Sequence, residues 1–233
     1  MKYVIDAPPQ PSVAVAGDEA RFPVRRIFCV GRNYADHVRE MGNDPKSEPP
    51  LFFTKPADAV VENGAAIPYP PDTSNLHHEV ELVLAIGAGG AEIAPARALE
   101  HVWGYAVGVD LTRRDRQAEA KKAGAPWDAA KGFDRSAPIG AVAPRAAAGA
   151  MTRARIWLSV NGETRQDANL DEMIWSVPEI IAALSRSWAL APGDLIFTGT
   201  PAGVGPLQPG DAVSCGVDGL PDLSFSIAPG AQR

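Results

Sequence analysis

The sequence predicts an α+β fold built on a bent or rolled sheet, with few short helices. Three observations point there. Short apolar or alternating runs recur along all 233 residues. Helical periodicity is confined to a few stretches, and no strand–helix–strand rhythm repeats. Without an internal repeat or a biased linker, the chain divides into an N-terminal arm over residues 1–20 and one domain over residues 21–233.

Each element has a local reason. Pro8-Pro9-Gln10-Pro11 disfavours helix, and the alternating Ser12-Val13-Ala14-Val15 reads as a short strand laid on the body. Arg26 to Gly31 is a strand ending at glycine, followed by a turn at Arg32-Asn33-Tyr34. Ala35 to Met41 reads as a short helix with Gly42 beyond its end. Residues 43–50 form a polar, proline-containing loop. Leu51 to Lys55 resumes a strand, and its lone lysine reads as a surface residue. Ala59-Val60-Val61 and Ile67-Pro68-Tyr69-Pro70-Pro71 suggest edge strands leading into a strand through Glu79-Val80-Glu81-Leu82-Val83-Leu84-Ala85-Ile86. Pro95 to His101 reads as a helix with proline in its first turn. Trp103 to Asp110 is a strand, and Asp110 or Thr112 is positioned to cap a helix from Arg113 to Ala123. Trp127 to Asp134 is a loop. Arg155 to Arg165 folds over Asn161-Gly162, a strong hairpin signal. Val177 to Leu190 is an amphipathic helix, Leu195 to Thr198 a strand, and Gly199 to Gly205 a glycine-rich loop before short terminal strands.

Composition narrows the function classes. The chain is 45% hydrophobic and 21% charged, with a net charge of −6 that disfavours a nucleic-acid partner. It does not disfavour a small anion held by a local cluster of Arg, Lys and metal. Cys29 and Cys215 both lie in apolar segments and read as buried thiols, not as a disulfide framework. No stretch approaches the ~18 apolar residues of a membrane span, and no charged-then-apolar leader opens the chain, so the cytoplasm is the expected compartment and no membrane partner is expected.

The candidate chemistry centres on Glu79 and Glu81. Two apart on a strand, they project from one face of an apolar run. Two carboxylates desolvated side by side need a neutralising proton or cation. A bound metal satisfies that; so do Arg or Lys partners, or a face open to water. Asp110, at the end of the next long strand, is a third acid of interest. Three carboxylates are hard oxygen ligands, suited to Mg²⁺, Mn²⁺ or Ca²⁺ over zinc. His37 and Glu40 stand three apart on the short helix, where a carboxylate orients an imidazole as a general base or forms a plain exposed pair. Arg114 and Gln117 share a helix face beyond Asp110. The glycine-rich loop lacks the Gly-Lys-Ser/Thr ending of a phosphate-binding loop, yet it offers backbone N–H groups and the Thr200 hydroxyl to a carboxylate.

These pieces occur in a distinctive order: Gly31-Arg32-Asn33-Tyr34-Ala35-Asp36-His37, Phe53-Thr54-Lys55-Pro56, His78-Glu79-Val80-Glu81-Leu82, Gly108 to Asp115, Ala130-Lys131-Gly132-Phe133-Asp134, and Thr198 to Gly205. In that order the sequence resembles the fumarylacetoacetate hydrolase family, and among it the short members that act on acylpyruvates, particularly the fumarylpyruvate hydrolases. The resemblance implies the family's mixed β-roll as one catalytic domain, commonly a homodimer. It implies Glu79, Glu81 and Asp110 as ligands of a divalent ion, usually Mg²⁺, and His37 with Glu40 as the dyad that activates water. Lys131 matches the catalytic lysine. Arg32, Arg114, Gln117 and Thr200 match positions that meet the substrate, an anionic 2-oxo acid. The expected reaction is cleavage of fumarylpyruvate to fumarate and pyruvate in gentisate-type aromatic breakdown. The alternatives on the same site are an oxaloacetate-type decarboxylase and a hydroxymuconate-type isomerase. A noncatalytic protein with a structural ion and a DNA-binding role for the Arg-rich helix are the rival classes.

Overall fold

A computed structural model describes residues 3–36 and 49–230. Its frame is a six-stranded mixed sheet, in the order Ala143–Pro144, Val102–Val109, Val80–Ile86, Asp194–Phe197, Arg26–Gly31, Leu51–Lys55. Facing it is a five-stranded sheet, in the order Glu163–Asn169, Arg155–Val160, Ala212–Val217, Leu223–Ala228, Ala66–Pro68. Both sheets are mixed. Asp194–Phe197 runs parallel to Arg26–Gly31 but antiparallel to Val80–Ile86, and Leu223–Ala228 runs parallel to Ala66–Pro68. Few helices accompany them, as an α+β roll requires.

The central strand Val80–Ile86 is buried along its whole length, and its alternation divides the core. Val80, Leu82, Leu84 and Ile86 pack into the main cluster with Ile156, Leu158, Val213 and Phe225 of the second sheet. Val83 and Ala85 point the other way, into a smaller cluster with Ile27, Cys29, Ala106 and Phe197. That back face is covered by a hairpin of Ser12–Val15 and Asp18–Pro23, whose Val13, Val15 and Phe22 complete the smaller cluster. Both cysteines are free and buried.

Local chemistry accounts for the connections. Asn161 and Gly162 both take positive φ, 53° and 81°, in the tight turn between Arg155–Val160 and Glu163–Asn169. Helix Val177–Ser187 opens with a capping box between Ser176 and Glu179 and buries Ile180, Ile181 and Leu184. Helix Arg114–Ala123 stops at Gly124, left-handed at φ 64°.

Several expectations are corrected. Pro95–His101 is a 3₁₀ helix, without the i→i−4 ladder of an α-helix. The residue before helix Arg114–Ala123 is Arg113, with no side-chain cap; the Thr112 hydroxyl donates to Asp110 O instead, at 3.1 Å. Asp128–Lys131 is one short helical turn, not loop. The end of the glycine-rich loop forms a strand, Gly205–Leu207, paired with Leu76–His78. The helix expected from Ala35 begins there, but its residues 37–42 lie outside the described residues.

Candidate metal centre and its cleft

Register brings the acids together. Glu81 follows the parity of Val83 and Ala85 and pairs with Gly108 on the neighbouring strand, two residues before Asp110. Glu79 stands in a break between strands Leu76–His78 and Val80–Ile86, not within one continuous strand. Its carbonyl accepts the Asp110 N–H at 2.8 Å, so the two acids stay level. A side chain at Gly108 would collide with Val83 and Phe197, its Cβ falling 2.6 Å from each; glycine lets the strands close behind the acids. The result is one group, Glu79, Glu81 and Asp110, with an oxygen from each within 4.8 Å of the others. Exposure is 5%, 1% and 0% respectively.

Cations answer two of the three carboxylates. Lys131 Nζ donates to Glu79 Oε2 at 2.7 Å, Asp110 Oδ2 at 2.5 Å and Thr112 Oγ1 at 2.7 Å. Arg114 donates to Glu79 Oε1 at 2.6 Å. Lys55 Nζ lies 2.8 Å from Asp110 Oδ1, an ionic contact out of hydrogen-bond alignment. Among the described residues Glu81 accepts only the Gly199 N–H, at 2.6 Å, and no basic side chain lies within ion-pair distance of it. Burial, then the neighbouring Asp110 and Glu79, push the Glu81 carboxyl well above the usual carboxylate range. Burial would lower the Lys131 ammonium, but Asp110 and Glu79 outweigh it and raise it. A buried carboxylate lacking a cation, beside two others with converging oxygens, fits a hard divalent ion. Glu79, Glu81 and Asp110 are the residues that could hold it.

Above the acids opens a narrow cleft. Arg32, Glu79, Glu81, Arg114, Gln117, Lys131 and Thr200 all line it, so every expected site residue that is described meets there except Asp110, which lies beneath Lys131. His37 and Glu40 lie outside the described residues. Arg32 takes φ 61° in the turn after Gly31. The turn is braced by Asn33, whose Nδ2 donates to Trp175 O and Thr198 O and whose Oδ1 accepts the Trp175 N–H. Arg114 also donates to Gln117 Oε1 at 2.6 Å, which fixes the amide beside the cleft. Lys121, near the end of helix Arg114–Ala123, lines the cleft too, and burial followed by Arg114 lowers its ammonium. Phe53 and Trp127 form an aromatic wall. It continues into an adjoining, wider and more apolar hollow that reaches Leu51 and Trp188.

Two participants escape the sequence reading. Lys55 is buried at 3% exposure, donating to Leu111 O at 3.2 Å and to Lys131 O. The surface assignment is therefore wrong: Asp110 and two carbonyls hold its ammonium inside. Its one sequence signal is its place at the end of the otherwise apolar run Leu51-Phe52-Phe53. Gln166, on the largely exposed strand Glu163–Asn169, is fully buried and bonds to Thr200; nothing around it in the sequence marks it.

A rolled mixed sheet with a buried acid triad under a basic cleft defines an enzyme class that works with a divalent cation. The family model for the fumarylacetoacetate (FAA) hydrolase C-terminal region matches residues 26–228, and the chain belongs to that family. Among solved structures it is similar to fumarylpyruvate hydrolase from Pseudomonas aeruginosa in complex with Mn²⁺ and pyruvate. The TM-score is 0.97 and the identity 49%, covering 98% of this chain and 100% of that one. Among curated proteins it is 45% identical over 203 residues to the mouse protein named oxaloacetate tautomerase FAHD1, mitochondrial, covering 87% of this chain and 91% of the mouse chain. It is 42% identical over 205 residues to the Dictyostelium discoideum protein named oxaloacetate decarboxylase, mitochondrial, covering 87% of this chain and 94% of that one. Among the described residues no helix is long and apolar enough to cross a membrane.

Proposed function

We propose that this protein is a divalent-cation-dependent hydrolase of acylpyruvates, with fumarylpyruvate as substrate and fumarate and pyruvate as products. The observation that carries the reading is the acid triad at the floor of a cleft walled by Arg32, Arg114, Lys121 and Lys131. It is supported by the 49% identity, over nearly the whole chain, to a fumarylpyruvate hydrolase whose structure holds Mn²⁺ and pyruvate. A cation held by Glu79, Glu81 and Asp110 supplies Lewis acidity toward the oxygens of a 2-oxo acid; Mg²⁺ and Mn²⁺ both suit the oxygen donors.

This chain's own residues account for the rest. The guanidinium groups of Arg32 and Arg114 attract a substrate carboxylate, and the Thr200 hydroxyl and Gln117 amide orient it. Phe53 and Trp127 give the acyl portion an apolar wall. Cleavage joins a water oxygen to the acyl carbon, breaks the bond to the three-carbon unit and leaves negative charge on that unit, which a proton then quenches. The role of taking the proton from water falls to His37 and Glu40, the dyad that the family resemblance assigns. Lys131, a buried ammonium pointing at the acids from the cleft wall, stabilises the developing negative charge.

A second reading is favoured by a specific observation: curated relatives at 45% and 42% identity are named for oxaloacetate tautomerisation and decarboxylation. Both reactions use an anionic 2-oxo acid and need no water-activating dyad. The test follows absorbance of fumarylpyruvate, acetylpyruvate and oxaloacetate with Mg²⁺, Mn²⁺ or chelator. Cation-dependent loss of fumarylpyruvate, outpacing loss of oxaloacetate, is expected. Turnover of oxaloacetate with fumarylpyruvate untouched would replace the hydrolase reading by the second.

A further inference from the structure

Thr200 Oγ1 accepts a hydrogen bond from Gln166 Nε2 at 2.8 Å. The orientation of that amide is set on both sides. Gln166 Oε1 accepts the Val80 N–H at 3.1 Å, and Nε2 also donates to Pro201 O at 2.9 Å. Flipping the amide would place donor against donor and acceptor against acceptor. His78 Nδ1 lies 3.0 Å from the same Oε1, so it carries a proton and completes the set. All four hydrogen-bonding positions of a fully buried amide are thereby filled. A hydroxyl has a single proton; Thr200 Oγ1 is already an acceptor, and no acceptor for its proton is found among the described residues. Thr200 is 3% exposed, and what space it meets is the cleft.

The approach between the loop and the strand is built in. At Gly203, φ is +91° and a Cβ would fall 2.1 Å from Arg165 O. The glycine-rich loop therefore lies directly on strand Glu163–Asn169 beside Gln166, and the second sheet delivers its one fully buried polar side chain to the rim of the cleft.

We propose that Gln166 is a positioning residue that fixes the polarity of Thr200, holding its hydroxyl as a donor aimed into the cleft toward an anionic oxygen of the substrate. This rests on the reading of the cleft as a 2-oxo acid site. An acceptor-only group at 166 should reverse the effect, drawing the Thr200 proton to itself and turning an oxygen lone pair toward the substrate carboxylate.

The test is pyruvate binding to the full chain at saturating Mn²⁺, followed by calorimetry at pH 8. Thr200→Val should weaken binding about 10- to 100-fold, the scale of one hydrogen bond to a charged group. Gln166→Glu should weaken it as much, and the double variant should be no weaker than Thr200→Val alone, because both remove the same bond. Gln166→Met, which neither donates nor accepts, leaves the hydroxyl free among its three staggered positions and should cost on the order of 3-fold. This variant carries the test if Gln166→Glu fails to fold. General damage to packing would not reproduce either the loss of additivity or this ranking. Unchanged binding in both Gln166 variants with weakened Thr200→Val overturns the proposal, as does a double variant weakened by the product of its parts. Unchanged binding in Thr200→Val would instead remove Thr200 from the site and overturn the reading beneath.

Discussion

Lys55→Met removes a positive charge from beneath the acid triad while keeping most of the side chain's volume. The Lys55 Nζ and Asp110 Oδ1 atoms are 2.8 Å apart, and both side chains are 0% exposed. At an effective dielectric of ~20, two unit charges at that separation attract by ~6 kcal/mol, a gross figure before desolvation is counted. Removing one partner leaves the other charge buried, and such truncations cost ~3–5 kcal/mol. Asp110 keeps the Lys131 ammonium at 2.5 Å, while the Leu111 and Lys131 carbonyls lose a donor, so the expectation spans that range and does not sit at its upper end. Urea unfolding followed by circular dichroism in the presence of chelator measures it directly. For a chain of this size the loss corresponds to a melting temperature lower by roughly 6–20 °C. Adding Mn²⁺ should restore part of the difference, since a cation bound at Asp110 replaces the missing charge and binds the folded state alone. A metal-free variant within ~1 kcal/mol of the unaltered protein would refute the argument, because it would mean that Asp110 does not depend on Lys55 for its charge balance.

Two further substitutions separate the site from the frame. Glu81→Gln replaces the one triad member without a cationic partner among the described residues; the metal-free protein should be as stable as the unaltered one or more so, while Mn²⁺ affinity measured by electron paramagnetic resonance falls by about 100-fold or more. Asp194→Asn should act in the opposite way. Its fully buried carboxylate is held by Arg26 through two bonds, by Arg25 and by the Ala191 N–H, so urea unfolding should show a loss of ~2–4 kcal/mol, with Mn²⁺ affinity unchanged because Asp194 stands at the opposite end of its strand from Thr198.

Legibility in the sequence follows the range of the interaction that places each residue. Glu79 and Glu81 are readable because a strand alternates with period two, and that parity survives even the break before Val80. The strand pairing that brings in Asp110 is long-range, and only the order of motifs shared with a family supplied it. Lys55 is misread for a thermodynamic reason. A lysine is almost always left in water, and only three partners drawn from separate segments, Asp110, Leu111 and Lys131, reverse that preference. Gln166 is less readable still. It sits in a polar strand, 34 positions from Thr200, and its burial depends on Gly203 letting a loop rest on that strand.

The same contrast bears on how the site works. The triad is held by the pairing and register of two neighbouring strands, Val80–Ile86 and Val102–Val109. Its neighbours Lys55, Lys131 and Gln166 are held by polar bonds converging from the first sheet's edge, a single helical turn and the second sheet. Polar networks of that kind are stable only when every member is satisfied. Two openings in the network, judged among the described residues, are informative for that reason. Glu81 lacks a cation and Thr200 lacks an acceptor, and both openings face one cleft. A cation and an anionic oxygen are the two things that would close the network, and a chelating 2-oxo acid with its metal supplies both.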